Sequence, residues 1–354
     1  MNRKRLTLAL TIFVSILFSI TYSHFSNVNA AETQPITLRF ASYQPPRGIE
    51  GEAPKWLMRE ITKRTQGKVI FQEYFGGSLL TAREVLKGIQ LGTADMGFIF
   101  TAYYPRELRI HALPQAFIRG PVKPRNKIAF FESFYREIPE AKKEIETLNQ
   151  KLLAIHLFGQ MSVGAVVPIK ELGDVKGLKL RVAGGTDALH MKCAGANVVF
   201  LPSSDVYSAL QKGSVEGAYS TPSSFYRGKW YETAKPFYLL VMPSFSGTYA
   251  FISINQDKFN SLPKDIQEVI VNVGKEYNLY EADLLDRSEQ EYMKEMASLG
   301  VQISHASSES IIQFAESCEK EAKAKSVEEA EKLGIPGSEI MQRLTKLISK
   351  YYEK

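Results

Sequence analysis

One arginine offers the clearest chemistry in this sequence. Arg181 lies near the end of a short apolar strand, Leu178 to Val182, inside the run GLKLR, and a Gly184-Gly185 turn follows. The C-terminal end of a strand is where open α/β sheets place their ligand crevice. A guanidinium there can hold a carboxylate through two parallel charge-assisted hydrogen bonds, and the glycines let backbone come close. Taken alone, such an arginine is more often half of a surface ion pair.

Other chemistries have little support. The nearest thing to a nucleophile elbow, Gly159-Gln160-Met161-Ser162-Val163-Gly164, has one residue too many for the Gly-x-Ser-x-Gly turn. His111, His156, His190 and His305 are not spaced as a His-Glu-x-x-His zinc site and read as packed or surface residues. The sequence has no phosphate-cradling glycine loop. Binding without turnover is the economical reading, with no catalytic residue, metal or cofactor expected; an enzyme is the second hypothesis.

The elements that must position Arg181 form a βαβαβ unit from Gly177 to Pro222. It has strands at Leu178–Val182 and Asn197–Leu201, a helix opened by Ser204-Asp205, and a third strand running into Ser220-Thr221-Pro222. Upstream, Ile36–Tyr43 reads as a strand, about Gly51–Arg64 as a helix, and Val69–Tyr74 and Asp95–Phe100 as further strands. Thr81 with Glu84 reads as the cap of a helix ending at Gly92. The exits at Tyr43, Gly76–Leu80 and Phe100–Tyr104 are expected to gather on one ligand rim.

Residues 124–150 read as two helices broken at Pro139, with Leu152–Phe158 crossing to a second lobe that contains the strand Val163–Pro168. Phe225–Phe237 reads as helix, with Trp230 and Tyr231 buried, and Tyr249–Ile254 as a return strand. From residue 263 to 299 one apolar face continues through Ile266, Ile270, Val273, Tyr277 and Met296. At 1.5 Å per residue that is about 50 Å, long enough to span two lobes. The Lys/Glu-rich tail after Ser307 reads as helix with a solvated face.

A length of 354 residues, 44% hydrophobic and 23% charged, allows two lobes of ordinary size with a full core. Arg3, Lys4 and Arg5, the apolar run Leu6–Ile20 and Val28-Asn29-Ala30 read as a secretory signal peptide over residues 1–30, so a periplasmic location is expected. Its removal takes the formal charge from +6 to +3, and the remaining basic residues are interspersed with acids, so a nucleic-acid partner is not supported. Cys193 and Cys318 would meet an oxidising compartment, but a chain of this size does not need a staple. The balance is toward separate thiols, with pairing left open.

GLKLR, the run LPSSDVYSALQKGSVEG and the upstream run GSLLTAREVLKGIQLGTADMG resemble, in order, the substrate-binding proteins of tripartite ATP-independent periplasmic (TRAP) transporters, DctP family. The likeness covers nearly the whole mature chain. It implies an α/β, two-lobed periplasmic binding protein with a long hinge-spanning helix. Lobe I would comprise residues 31–155 and about 250–280, and lobe II residues 156–249 and about 281–306. Helix 263–299 would cross both, and 307–354 would be C-terminal helices.

The resemblance also implies site residues. The family's carboxylate-binding arginine corresponds to Arg181. A second arginine, found in many members that bind polar acids, falls on Met161. The family's Asn before Pro becomes Thr221, with Ser220 able to serve in a loop one residue longer. Sialic-acid-type members have Glu where Phe100 stands and Asn where Tyr43 stands. Gln160 and Tyr219 complete the expected ligand set.

These exchanges imply an apolar or aromatic monocarboxylate rather than a sugar acid or dicarboxylate, delivered to the small and large membrane permease subunits. Arg106 and Arg227 are the other basic side chains that could reach the cleft. A sensor module for a membrane kinase and an ATP-driven-type uptake binding protein are the alternatives.

Overall fold

A computed structural model describes residues 34–245 and 247–351; the expected signal peptide lies outside the described residues. Among these, the strands in chain order are β1 (Ile36–Ala41), β2 (Val69–Tyr74), β3 (Met96–Phe100), β4 (Gln150–Leu157), β5 (Met161–Ala165), β6 (Lys179–Val182), β7 (Asn197–Phe200), β8 (Gly217–Ser220), β9 (Tyr238–Met242), β10 (Tyr249–Asn255) and β11 (Gln302–His305). They form two sheets, ordered β2-β1-β3-β10-β4 and β11-β9-β5-β8-β6-β7.

In the first sheet β1 and β3 are parallel, and β10 runs antiparallel between β3 and β4. Every residue of β3 and β10 is buried, which explains why both read as continuous apolar runs rather than alternating ones. In the second sheet β6 lies parallel to β7 and β8, and β5 runs antiparallel between β8 and β9. The C-terminal ends of β6 and β8 therefore point the same way and carry Arg181 and Ser220 to one edge.

Three segments connect the sheets: the short run 158–160, the run 243–248, and the helix Lys264–Ser298. This helix packs on Ile49–Arg64, β4 and Pro124–Glu137 from the first lobe, and on Pro222–Arg227 and β11 from the second. Pro263 precedes it, Asp265 sits in its first turn, and Gly300 follows at φ 93°. Its buried face carries Ile266, Ile270, Val273, Tyr277, Leu285 and Met296, and Gly274 lets it approach β4 so closely that a Cβ would lie 2.4 Å from the Leu153 carbonyl oxygen. Two lobes joined by crossing strands and one long helix are the fold read from the sequence.

Several local readings change. Phe225–Phe237 is not one helix: Pro222–Arg227 is α-helical, Lys229 turns left-handed, Trp230–Thr233 is a 3-10 turn, and Lys235-Pro236 is cis. Trp230 is buried against Phe225, but Tyr231 is only half-buried. The Thr81 N–H does bond the Glu84 carboxylate at 2.8 Å, yet the helix itself begins at Val85.

The tail is more than a solvated face. Helix Ser308–Glu331, capped by the Ser307 hydroxyl, buries Ile311, Phe314, Ala315 and Ala322 and contacts both Leu113–Ala116 and Asp187–Cys193. Its Glu319 accepts the backbone N–H groups of Ile118 and Arg119 at 2.8 Å each. Cys318 is bonded to Cys193, with Cα atoms 5.8 Å apart, so the balance toward separate thiols is corrected. The apolar spacing around each cysteine was visible in the sequence; the meeting of two helices 125 residues apart was not.

Candidate functional site

The strand ends of both lobes close on one small cavity of about 40 Å³. Arg181, from the end of β6, is only 2% exposed. Its Nε donates to the Leu201 carbonyl at 2.8 Å, its guanidinium stands 5.7 Å from the Trp230 ring centre, and Tyr103 of the other lobe lines the cavity beside it. Burial lowers its basicity, opposed by Tyr103, Tyr43 and Asp187. Among the described residues no carboxylate forms an ion pair with it. The rigid fork is thus held in place without a direct ion-pair partner.

Around Arg181 the cavity is mostly apolar or aromatic. Tyr43 and Phe100 come from the ends of β1 and β3, and Met161 and Phe158 from the crossing between lobes. Phe100 meets Tyr103 and Phe158 edge-on at 4.9 and 5.1 Å between centroids. At the end of β8, Tyr219, Ser220 and Thr221 line the cavity, with Thr221 Oγ1 3.0 Å from Ser223 Oγ and 3.1 Å from Ser224 Oγ. Burial pushes the acidity of the Tyr219 hydroxyl well down.

Of the eight residues expected from the sequence, all but Gln160 line this cavity. Gln160 is half-buried, and its backbone N–H faces the Glu289 carboxylate at 3.5 Å. The β4–β5 crossing turns Met161, not Gln160, inward. Gly76–Leu80 is also absent from the lining: the Gly76 and Gly77 N–H groups bond the Gln44 and Ser42 carbonyls at 2.8 and 3.1 Å, so this turn props the β1 exit from outside.

The Gly184-Gly185 turn departs from its expected role too. A Cβ on Gly184 would stand 3.0 Å from the Ala102 carbonyl oxygen, and one on Gly185 2.4 Å from Gln115 Oε1. Both glycines have positive φ. They let the two lobes meet, while Ala183 lines the cavity.

Arg227 also reaches the cavity, whereas Arg106 lies in a separate groove. Arg227 is paired with Glu50, a first-lobe carboxylate 1% exposed. Its charge is therefore matched from within the protein. Sequence reasoning missed this partner, since Glu50 reads as an ordinary acid in a helix first turn, and it missed Asp187, which reads as a helix-start residue.

Beneath the crossing lies a buried polar layer. Lys127 Nζ donates to the Phe158 and Gly159 carbonyls at 2.9 and 3.1 Å, and burial pulls its pKa down to about 8. Burial pushes Glu289 up to about 7 and Glu281 well above the carboxylate range. His156 Nδ1 is 2.7 Å from the Tyr277 hydroxyl, and burial pulls it down to about 3. A Cβ on Gly159 would fall 1.4 Å from Glu289 Oε1, so a side chain here would displace the Glu289 carboxylate. Among the described residues no group of three or more His, Cys, Asp or Glu could hold a metal.

The arrangement defines a ligand-binding cleft between two lobes, and comparison with known proteins gives its family. The profile of DctP, bacterial extracellular solute-binding protein family 7, matches residues 40–329, and the chain belongs to that family. A solute-binding protein of Albidiferax ferrireducens is 28% identical over 270 residues, 70% of this chain and 76% of that one. A TRAP periplasmic solute-binding protein of Desulfovibrio salexigens, solved with bound orotic acid, superposes with a TM-score of 0.78 at 20% identity, covering 89% of this chain and 99% of that one. A TRAP solute-binding protein of Rhodoferax ferrireducens, solved with copurified benzoate, gives 0.77 at 17% identity, covering 89% and 98%.

Proposed function

We propose that this chain is a periplasmic TRAP solute-binding subunit that captures a monocarboxylate with an apolar or aromatic body and delivers it to the membrane permease. The observation that carries this reading is Arg181: buried in the cleft and, among the described residues, in direct ion pair with no carboxylate. With Arg227 matched by Glu50, the cavity has one positive charge to offer an anionic ligand.

A second ligand carboxylate would be desolvated beside Phe100, Met161 and Tyr43 without a free cation, at a cost of several kcal/mol. A ring or branched chain instead gains about 25 cal/mol for each Å² buried, and Met161 adapts to ring edges. Ser220 and Thr221 supply hydroxyls for the remaining carboxylate lone pairs. Benzoate and orotic acid, each a ring with one carboxylate, are bound by structural relatives.

In this reading lobe I comprises residues 31–155 and about 250–280, lobe II residues 156–249 and about 281–306, and the ligand stabilises the closed arrangement of the two. Among the described residues no helix is long and apolar enough to cross a membrane. Family membership supports the export signal and the permease partners. The reading is tested by mass spectrometry of ligand carried through purification, followed by a thermal-shift screen of small acids. A ligand at a hundred times its dissociation constant adds about 2.7 kcal/mol of stability. A monoacid returned chemically unchanged supports the reading; a turned-over product or a dicarboxylate opposes it.

A further inference from the structure

Besides Arg181 and Arg227, whose partner Glu50 lies outside the lining, the cavity is lined by one more buried charge-bearing group. Asp187 opens the helix Asp187–Cys193, is 3% exposed, and lines the same cavity. Its Oδ1 has no hydrogen-bond partner among the described residues. A buried carboxylate oxygen in that state is costly, and the residue that carries it borders the ligand space.

The groups around it are few. Arg181 on β6 is the cation acting on it, beyond ion-pair distance, and Tyr219 on β8 feels its charge. Tyr43 and Tyr103 of the first lobe line the same cavity, as does Arg227 with its charge matched by Glu50. On its own helix His190 stays neutral, drawn down to about 4 by burial. On the packed helix Ser308–Glu331, Glu319 and Lys323 act on His190 and pair with each other at 2.5 Å.

We propose that the cleft takes up one proton with each monocarboxylate, Asp187 in its acid form donating a hydrogen bond to the ligand carboxylate while Arg181 supplies the matching charge. This rests on the monocarboxylate reading above. If Asp187 were ionised, Arg181 and Asp187 would already cancel, and a bound monoanion would leave one buried negative charge in excess. With Asp187 protonated, the anion meets one net positive charge and an O–H donor, whose bonds to carboxylate are short and strong. Burial already pushes Asp187 up to about 7, and a second carboxylate beside it pushes it further in the same direction. The proton comes from solvent on binding and returns on release.

The test is calorimetry with benzoate, 3-methylbutanoate and succinate across pH 6 to 9, in two buffers of different ionisation enthalpy to count protons. For a monoacid that binds, the dissociation constant should rise up to about tenfold per pH unit above 7, with close to one proton taken up near pH 8. Asp187→Asn should bind the same acid with little pH dependence and no proton uptake. The proton count on the unaltered protein stands even if the variant folds poorly. A monoacid that binds without proton uptake overturns the Asp187 assignment and leaves the monocarboxylate reading intact, as does loss of binding at every pH in a folded Asp187→Asn. If succinate alone binds, both fall.

Discussion

Glu50 and Arg227 form a buried ion pair that joins the two lobes beside the ligand cavity. Glu50 comes from the helix Ile49–Arg64, and Arg227 from the helix Pro222–Arg227 that follows β8. The pair sets the charge of the site as much as Arg181 does. Glu50→Gln frees the Arg227 charge, so this variant should gain measurable affinity for succinate. It should also lose about 3 kcal/mol of stability, because an uncompensated buried cation remains. Calorimetry and thermal unfolding check both; a variant as stable as the parent and still blind to succinate would contradict the assignment.

Gly185 meets the Gln115 amide where the lobes touch, with φ 61°, and a Cβ there would stand 2.4 Å from Gln115 Oε1, so a side chain must displace that amide. Gly185→Ala should weaken ligand binding by roughly 5- to 30-fold, the effect of 1–2 kcal/mol. Left-handed strain burdens open and closed forms alike, whereas the clash burdens only the closed one. Small-angle scattering at a ligand concentration near the parent's dissociation constant should show a smaller compaction. Restoration of affinity by adding Gln115→Ala is the expected control, and an unchanged dissociation constant for Gly185→Ala would count against this interface.

The bond between Cys193 and Cys318 ties Asp187's helix to the tail and closes a long loop. Cys318→Ser should lower stability by about 2–4 kcal/mol, and reduction of the parent protein should have a similar effect. Equal unfolding midpoints with and without reductant would show that the two helices hold together by packing alone.

His156 is neutral in the fold because burial pulls it down to about 3, whereas an unfolded histidine titrates near 6.5. Between these values the unfolded chain binds the extra proton, so its contribution to stability is full above about pH 6.5 and is lost as pH falls toward 3. Replacing it by Gln should flatten the stability profile between pH 4 and 6 by up to about 1.4 kcal/mol per pH unit. Parallel profiles for the two proteins would mean that His156 is protonated in the fold.

The sequence made the strand order's raw material legible because β3, β10 and the helix Lys264–Ser298 have strong periodic or continuous apolar patterns. Arg181 was legible through its position near a strand end and its motif. What escaped depends on contacts between distant segments. Glu50 and Asp187 look like ordinary helix-start acids until the fold buries Asp187 in the cavity and Glu50 against Arg227 at its edge. Gly184 and Gly185 looked like ligand-facing glycines, and only the packing of the second lobe on Ala102 and Gln115 shows what their missing side chains make room for. The break after Arg227 was hidden because Trp230 and Phe237 continue an apolar pattern that a 3-10 turn and a cis proline interrupt.

The most direct measurement is calorimetry of benzoate, 3-methylbutanoate and succinate against the protein and its Arg181→Lys variant at pH 6. The account expects a monoacid to bind the parent, succinate not to bind, and the lysine variant to lose most of the affinity because a point charge cannot replace the planar fork. Tight succinate binding with no binding of either monoacid, or full monoacid affinity in Arg181→Lys, would contradict it.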